Sequence, residues 1–186
     1  MEQGLPERYE VIMTGLGGGG ILTSGLLLAS AAVNRYRYVS WFPSYAISKR
    51  GGLVECTVIY SEEEIASPLI SQAAAVIVAE ATQFEDFERR IRPGGVMLVE
   101  SAGLQAQPRR ADIRIVKVPA IETAIRLNGT SQGANLVLLG AFAEVTQTIP
   151  AELIRAELEK SFAGKEKVLE NNLRAFEGGR SLIRKS

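Results

Sequence analysis

The run Ala74-Ala75-Val76-Ile77-Val78-Ala79 constrains the fold of this chain more than any other segment. Every residue in it is apolar, so a strand formed here has no face suited to solvent. This pattern is typical of a strand in a parallel sheet that is covered on both faces. Parallel strands need crossover connections, which are usually helices. The run therefore favours an α/β fold.

The rest of the chain alternates between strand-like and helix-like segments, as that fold requires. We predict a three-layer, Rossmann-like, mostly parallel sheet with a helical C-terminal tail, in a single domain over residues 1–186. The predicted strands are Tyr9–Thr14, Tyr38–Phe42, Leu53–Tyr60, Ala74–Ala79, Val96–Val99 and Ile113–Val118. The predicted helices are Ile21–Val33, Phe84–Ile91 (stopped by Pro93-Gly94-Gly95), Ala120–Leu127, Ala134–Thr146, one opened by Pro150 and closed by Gly164, and Lys165–Gly179.

The composition excludes several classes of function. Lys plus Arg and Asp plus Glu both total 21, so no net charge draws the chain to nucleic acid or to an anionic membrane. The chain has no histidine, which excludes Ser-His-Asp and Cys-His catalysis. Its single cysteine, Cys56, excludes an internal disulfide and a cysteine-ligated metal site. Because Cys56 lies in an apolar alternating run, we expect a buried, inert thiol.

The sequence also bears on location. No stretch reaches the roughly 18 uninterrupted apolar residues of a transmembrane helix. The acidic start Met1-Glu2-Gln3 does not resemble a signal peptide. We therefore expect a cytoplasmic protein with neither a membrane nor a nucleic acid as its partner.

A glycine loop follows the first predicted strand, with Gly15, Gly17 and Gly20 in the spacing of a dinucleotide-binding fingerprint and Gly18 between them. The helix that begins after it offers free N–H groups to an anion. The ribose-binding acid expected about 20 residues later is missing, because that region reads Ser40–Pro43. No Gly-Lys-Ser/Thr follows, so the loop is not a Walker motif. We favour a tight structural turn, with an anion facing its backbone N–H groups as the alternative.

A second loop, within Phe42–Cys56, combines cations with glycines. Arginine offers a planar fork of donors that suits carboxylates and phosphates, and the glycines let such a partner approach closely. The simpler interpretation is a solvated loop with a Gly-Gly turn before a strand. The candidate binding or interface residues here are Ser44, Tyr45, Lys49, Arg50, Gly51 and Gly52.

Several motifs in order resemble those of the gamma subunit of 2-oxoacid:ferredoxin oxidoreductases, the pyruvate/ketoisovalerate oxidoreductase catalytic domain family. The resemblance extends from Tyr9 to about Gly178 and makes Asn135 a further candidate binding or interface residue. Its specificity comes from the order of the motifs and not from any one of them. They are the glycine loop with its Ala/Leu helix, Pro43-Ser44-Tyr45, Arg50-Gly51-Gly52, Ser61–Pro68, Asn135–Phe142 and Asn171–Gly178.

The resemblance implies a subunit of an enzyme that oxidatively decarboxylates a 2-oxoacid with coenzyme A and passes electrons to ferredoxin. It implies alpha and beta subunits that hold thiamine diphosphate, and a ferredoxin-like delta subunit that holds iron–sulfur clusters. This chain alone is expected to bind none of these cofactors and to have no catalytic residue or metal site of its own. The residues agree, because it lacks histidine, a cysteine cluster and a thiamine-binding Gly-Asp-Gly motif.

The loop departs from the family pattern at two places. Ala46 replaces a usual glycine, and Ser48-Lys49 stands where the family has an acid, so the anion or partner that meets Arg50 can differ. A related possibility is the corresponding subunit of indolepyruvate oxidoreductase. Two other interpretations stay open from the residues: an independent NAD(P)-binding enzyme built on the glycine loop, and a free phosphate- or CoA-binding module.

Overall fold

A computed structural model describes residues 6–45 and 52–185, with only the backbone of Tyr45. The six strands are β1 (Arg8–Leu16), β2 (Tyr38–Tyr45), β3 (Leu53–Ser61), β4 (Ala73–Val78), β5 (Ile91–Glu100) and β6 (Arg114–Val118). The helices are α1 (Ile21–Ala32), α2 (Phe84–Glu88), α3 (Ala120–Asn128), α4 (Ala134–Thr146), α5 (Ala151–Ser161) and α6 (Glu166–Arg184), and a 3-10 turn at Ala81–Gln83 precedes α2.

The strands form one sheet in the order β2-β3-β1-β4-β5-β6. The pairs β1–β4, β4–β5 and β5–β6 are parallel, whereas β3 is antiparallel to both of its neighbours. All strands except β3 therefore point the same way, and their C-terminal ends meet at one edge, which we call the carboxyl edge. The predicted α/β fold, with a mostly parallel sheet and C-terminal helices, is confirmed.

The larger core lies on the sheet face that carries α1 and the C-terminal helices. Phe142 of α4 and Phe176 of α6 are fully buried there. Cys56, Val58 and Tyr60 of β3 lie in this core, and Val54 packs against it. The Tyr60 hydroxyl, whose oxygen lies 2.6 Å from the Thr148 hydroxyl oxygen, keeps a hydrogen-bond partner inside the core.

The opposite face of the sheet has a thinner cover. Ile12, Val76 and Met97 form its core with Phe84 and Phe87 from α2. The layer on this face consists of the 3-10 turn, α2 and the segment 101–113. The longer helices of the described chain pack on the face that carries the larger core. The buried Glu88 carboxylate fixes the segment 101–113 by accepting hydrogen bonds from the backbone N–H groups of Arg109 (2.8 Å) and Arg110 (3.1 Å).

The predicted helix Phe84–Ile91 is wrong at its C-terminal end. α2 stops at Glu88, and Ile91 begins β5 by pairing with Ala73 of β4. The Pro93-Gly94-Gly95 segment, which was predicted to end the helix, therefore lies inside β5. The register of β5 against β4 shifts at this point. Gly94 has φ +76°, which suits glycine, and its N–H donates to the carbonyl of Asp112. A salt bridge of 2.9 Å between Arg92 and the buried Glu10 links this bulge to β1.

The other predicted elements are confirmed, with shifted ends. Strand β1 runs on to Leu16, so Gly15 belongs to the strand and not to the loop. Helix α4 matches its predicted range, and α6 continues beyond Gly179 to Arg184. Helix α5 ends at Ser161, three residues before the predicted Gly164 stop. Among the described residues, no helix is both long and apolar enough to cross a membrane.

Helices α4 and α6 come unusually close to each other. A Cβ atom placed on Gly140 would lie 2.0 Å from the carbonyl oxygen of Phe176, and one on Gly179 would lie 1.9 Å from that of Val137. Only glycine allows this approach of two backbones. Hydrogen bonds from Arg184 and then Arg180, both on α6, hold the pKa of Glu144 on α4 below its usual range.

Candidate functional site

The two predicted loops meet at the carboxyl edge. The N–H of Gly17 donates to the carbonyl of Gly52 at 2.8 Å, which joins the glycine loop to the end of the second loop. Ser44 is exposed near the end of β2, and the backbone of Tyr45 closes that strand. Lys49, Arg50 and Gly51, together with Ala46 and Ser48, lie outside the described residues. The predicted roles of these residues therefore stay predictions.

Asn135 holds the other end of the glycine loop. Its side-chain amide, from the first turn of α4, donates to the Gly20 carbonyl at 3.0 Å and to the Ser24 hydroxyl at 2.9 Å. The Ser24 hydroxyl donates in turn to the Asn135 carbonyl at 3.3 Å. This network joins the first turns of α1 and α4. The structure therefore brings Asn135 together with the glycine loop, which sequence position alone did not indicate.

Internal contacts occupy the space beside Gly15, at the end of β1, and beside most glycines of the loop that follows. A Cβ atom on Gly15 would lie 3.1 Å from the Cβ of Ala79, and one on Gly20 would lie 2.7 Å from the Asn135 amide nitrogen. A Cβ atom on Gly17 would lie 3.2 Å from the Gly52 carbonyl oxygen. Gly18 is different, because it has φ +89° and no atom within 4 Å of such a Cβ. These contacts favour the structural interpretation of the loop.

A cleft of about 270 Å³ opens between the glycine loop, α3 and α4. We call it the carboxyl-edge cleft, because it lies where β1, β4 and β5 end, the usual place for ligands in open α/β sheets. Its lining is mainly apolar, with two carboxylates at the strand ends. The apolar side chains of the lining include Leu16, Ile21, Ile121 and Leu138, and the two carboxylates are Glu80 and Glu100.

Glu100 is the residue at this site that the sequence interpretation missed. It is the last residue of β5 and only 2% exposed. Its carboxylate accepts hydrogen bonds from the N–H of Ala102 at 2.7 Å and from the N–H of Ile121 at 2.9 Å. It thereby fixes the turn after β5 and the first turn of α3 at once. The signal in the sequence was an acid directly after the buried run Val96–Val99.

The described residues offer little for covalent or redox chemistry. They contain no group of three or more acidic or cysteine side chains that could hold a metal ion. Cys56 is buried, as predicted, and burial raises the pKa of its thiol to about 12, which keeps it protonated at neutral pH. With one cysteine in the sequence, the residues do not fit an iron–sulfur cluster.

Comparison with known proteins defines the family. Residues 10–182 match the family model for pyruvate ferredoxin/flavodoxin oxidoreductase. The chain belongs to this family. It is 34% identical to the ketoisovalerate oxidoreductase subunit VorA of Methanothermobacter thermautotrophicus over 96% of its own length. It is 30% identical to the 2-oxoglutarate synthase subunit KorC of the same organism, over 95% of both chains. The predicted resemblance to gamma-type subunits is confirmed.

Members of the pyruvate ferredoxin/flavodoxin oxidoreductase family differ in how much chain surrounds this domain. Our chain spans only 37% of VorA. It also superposes, with a TM-score of 0.86 and 24% identity, on 2-oxoglutarate:ferredoxin oxidoreductase from Magnetococcus marinus, covering 97% of our chain and 32% of that one. That structure holds 2-oxoglutarate, coenzyme A and succinyl-CoA. In KorC, by contrast, the matching region makes up 95% of the whole chain.

Replacing Gly20 with alanine should destabilise the chain more than replacing Gly18. Both glycines have positive φ, so both variants carry backbone strain of about 1 kcal/mol. Only Gly20→Ala also pushes against Asn135 and its hydrogen bonds, which adds about 1–2 kcal/mol. Urea denaturation of the two purified variants measures the difference. Equal losses would show that the Asn135 contact adds nothing to stability.

Proposed function

We propose that this chain is the gamma-type subunit of a multi-subunit 2-oxoacid:ferredoxin oxidoreductase. The complex converts a 2-oxoacid and coenzyme A to acyl-CoA and passes the electrons to ferredoxin. The observation that carries the proposal is the end-to-end similarity to KorC, a subunit of 2-oxoglutarate synthase that covers almost the same length of chain. The proposed location is the cytoplasm.

Within that complex, the chain contributes a binding and assembly surface. The proposed partners are alpha and beta subunits, which hold thiamine diphosphate, and a ferredoxin-like delta subunit, which holds iron–sulfur clusters. Support comes from what the sequence lacks, since one cysteine, no histidine and no Gly-Asp-Gly motif leave no residues suited to either cofactor. The second loop, Pro43 to Gly52, is the proposed surface toward coenzyme A or a partner subunit, with Arg50 as its main cation.

The second candidate is an independent dinucleotide- or phosphate-binding protein. The spacing of Gly15, Gly17 and Gly20 and the position of the loop at the carboxyl edge favour it. Against it, Gly17 is bonded to Gly52 and Gly20 lies against Asn135, so internal contacts account for these glycines. Calorimetric titration of the isolated chain with NADH separates the two candidates, because tight binding would favour the second.

The proposed function predicts that turnover depends on assembly. A tagged chain, expressed in its native cells, should purify with the other oxidoreductase subunits and support 2-oxoacid- and CoA-dependent reduction of viologen. The isolated chain, supplied with thiamine diphosphate, a 2-oxoacid and coenzyme A, should show none, because it lacks the redox and thiamine ligands. Robust turnover by the isolated chain would contradict the subunit role.

Within the purified complex, Arg50→Ala tests the second loop. If Arg50 makes charge-assisted hydrogen bonds to coenzyme A or a partner, its loss costs about 1.5–3 kcal/mol, or roughly 10- to 150-fold in CoA-dependent rate or in assembly. Arg89→Ala is the matched control, since its side chain is 75% exposed in a surface pair with Asp86. If the isolated Arg50→Ala chain, without partner subunits, is unfolded, Arg50 is a structural residue.

A further inference from the structure

Two exposed apolar side chains line the carboxyl-edge cleft, and two more lie next to these in the fold. Leu16 (46% exposed) and Leu53 (43%) are paired neighbours at the ends of β1 and β3. Ile121 (36%) lines the cleft together with Leu16, and Ile125 (49%) lies one helical turn farther along α3. Single exposed apolar residues are ordinary on protein surfaces, but a group around one opening indicates an interaction site. We call these four residues the apolar rim.

The lining of the cleft suits an apolar protein side chain. Its volume of about 270 Å³ lies just below the roughly 300–1,000 Å³ of typical small-molecule pockets. Leu16 and Ile121 contribute exposed apolar lining that an inserted aliphatic or aromatic group would dehydrate. Anchor side chains of this kind, buried in a pocket of the partner, carry most of the binding energy at protein interfaces.

The charge of the cleft points the same way. Glu80 and Glu100 both line it, and its lining within the described residues includes no lysine or arginine. The Glu100 carboxylate is already engaged by two backbone N–H groups. Glu80 is half-exposed, and among the described residues its carboxylate bonds only to its near neighbour Thr82. An acidic border disfavours the phosphates of a nucleotide or of coenzyme A and favours a cation beside the anchor.

The longer relatives indicate which partner must be held there. In VorA and in the Magnetococcus marinus enzyme this domain is about a third of one polypeptide, so the remaining part is attached covalently. A chain that is a separate subunit, like KorC, has to hold the corresponding partner by surface contacts instead. Such a contact needs an exposed apolar area with polar groups around it, which the apolar rim and Glu80 supply.

We propose that the carboxyl-edge cleft and its apolar rim are the docking site for the subunit that corresponds to the remaining two thirds of the long relatives. That subunit inserts one large apolar side chain into the cleft and places a lysine or arginine beside Glu80. The proposal rests on the proposed function, because it requires that this chain assemble with other oxidoreductase subunits. It adds the surface that makes the contact and the chemistry of the contacting residues.

The test uses the tagged chain purified from its native cells with the partner subunits identified by quantitative mass spectrometry. Ile121→Glu and Leu16→Glu should each reduce recovery of the subunit that corresponds to the remaining part of VorA about tenfold or more, because a charge at a buried anchor contact is unfavourable. Leu69→Glu is the matched control. Leu69 is 70% exposed and lies between the end of β3 and the start of β4, at the opposite edge of the sheet.

A photo-crosslinking residue at position 125 gives a second readout that does not depend on a disruptive charge. Its crosslinks should fall on the subunit that corresponds to the remaining part of VorA, whereas the same probe at position 69 should give none to that subunit. Circular dichroism of each isolated variant checks that it is folded. If a glutamate variant fails to fold, the crosslinking result decides.

The outcomes separate this proposal from the proposed function. Failure of the wild-type chain to recover any oxidoreductase subunit would overturn the proposed function, and the docking site with it. Normal recovery by Ile121→Glu and Leu16→Glu, or crosslinks to a different subunit, would overturn the docking site alone. Binding of coenzyme A or NADH to the isolated chain that Ile121→Glu abolishes would instead make the cleft a small-molecule site.

Discussion

Gly179→Ala should cost the chain at least about 3 kcal/mol of folding free energy, the largest loss we expect from any single methyl group. The added carbon would lie 1.9 Å from the carbonyl oxygen of Val137, so α4 and α6 would have to separate along their contact. Overpacking of a core typically costs about 1–3 kcal/mol, and more where a backbone must move. The higher helix propensity of alanine, about 1 kcal/mol, offsets only part of that cost.

Gly178→Ala is the matched control on the same helix. A Cβ atom there would meet the end of the Leu127 side chain at 2.5 Å, and that side chain can turn away. We expect Gly178→Ala to be neutral or mildly stabilising in urea denaturation, while Gly179→Ala shifts the midpoint strongly downward. Similar midpoints for the two variants would show that α4 and α6 separate at little cost.

Glu100→Ala should destabilise the chain by about 3 kcal/mol. The substitution leaves the N–H groups of Ala102 and Ile121 without their shared acceptor, and hydrogen bonds to a charged group are each worth about 1.5–3 kcal/mol. Glu122→Ala is the control, because Glu122 is an exposed acid within the first turn of α3. Thermal and urea denaturation of both variants measure the difference. If Glu122→Ala costs as much, general charge at the helix start explains the effect.

The sequence predicted the fold where local pattern and tertiary role agree. Helix α4 matches its predicted range because Ala134–Thr146 is mostly apolar and is buried by α6 as well as by the sheet. The Pro93-Gly94-Gly95 segment was misinterpreted because its residue types mark a break in any regular element. They do not say whether that break follows a helix or bends a strand.

The site was predictable in its parts but not in its assembly. The glycine loop and Gly52 were each identified from residue type, yet the bond between Gly17 and Gly52 depends on β3 running antiparallel to β1. The role of Glu100 was missed because a single acid after a strand has many uses until its partners are known. Its partners belong to two separate segments, and one of them, Ile121, lies 21 residues farther along the chain.

The hydrogen bond between Gly17 and Gly52 is the first of a series of contacts that leads to the C-terminal helices. Displacement of Gly52 by a bound partner has to break that bond or move Gly17 with it. The same loop ends at Gly20, whose carbonyl accepts a hydrogen bond from the Asn135 side chain on α4. Helix α4 in turn packs closely against α6 at Gly140 and Gly179. Gly52 is thereby connected through these contacts to the C-terminal helices, at the far end of the sequence.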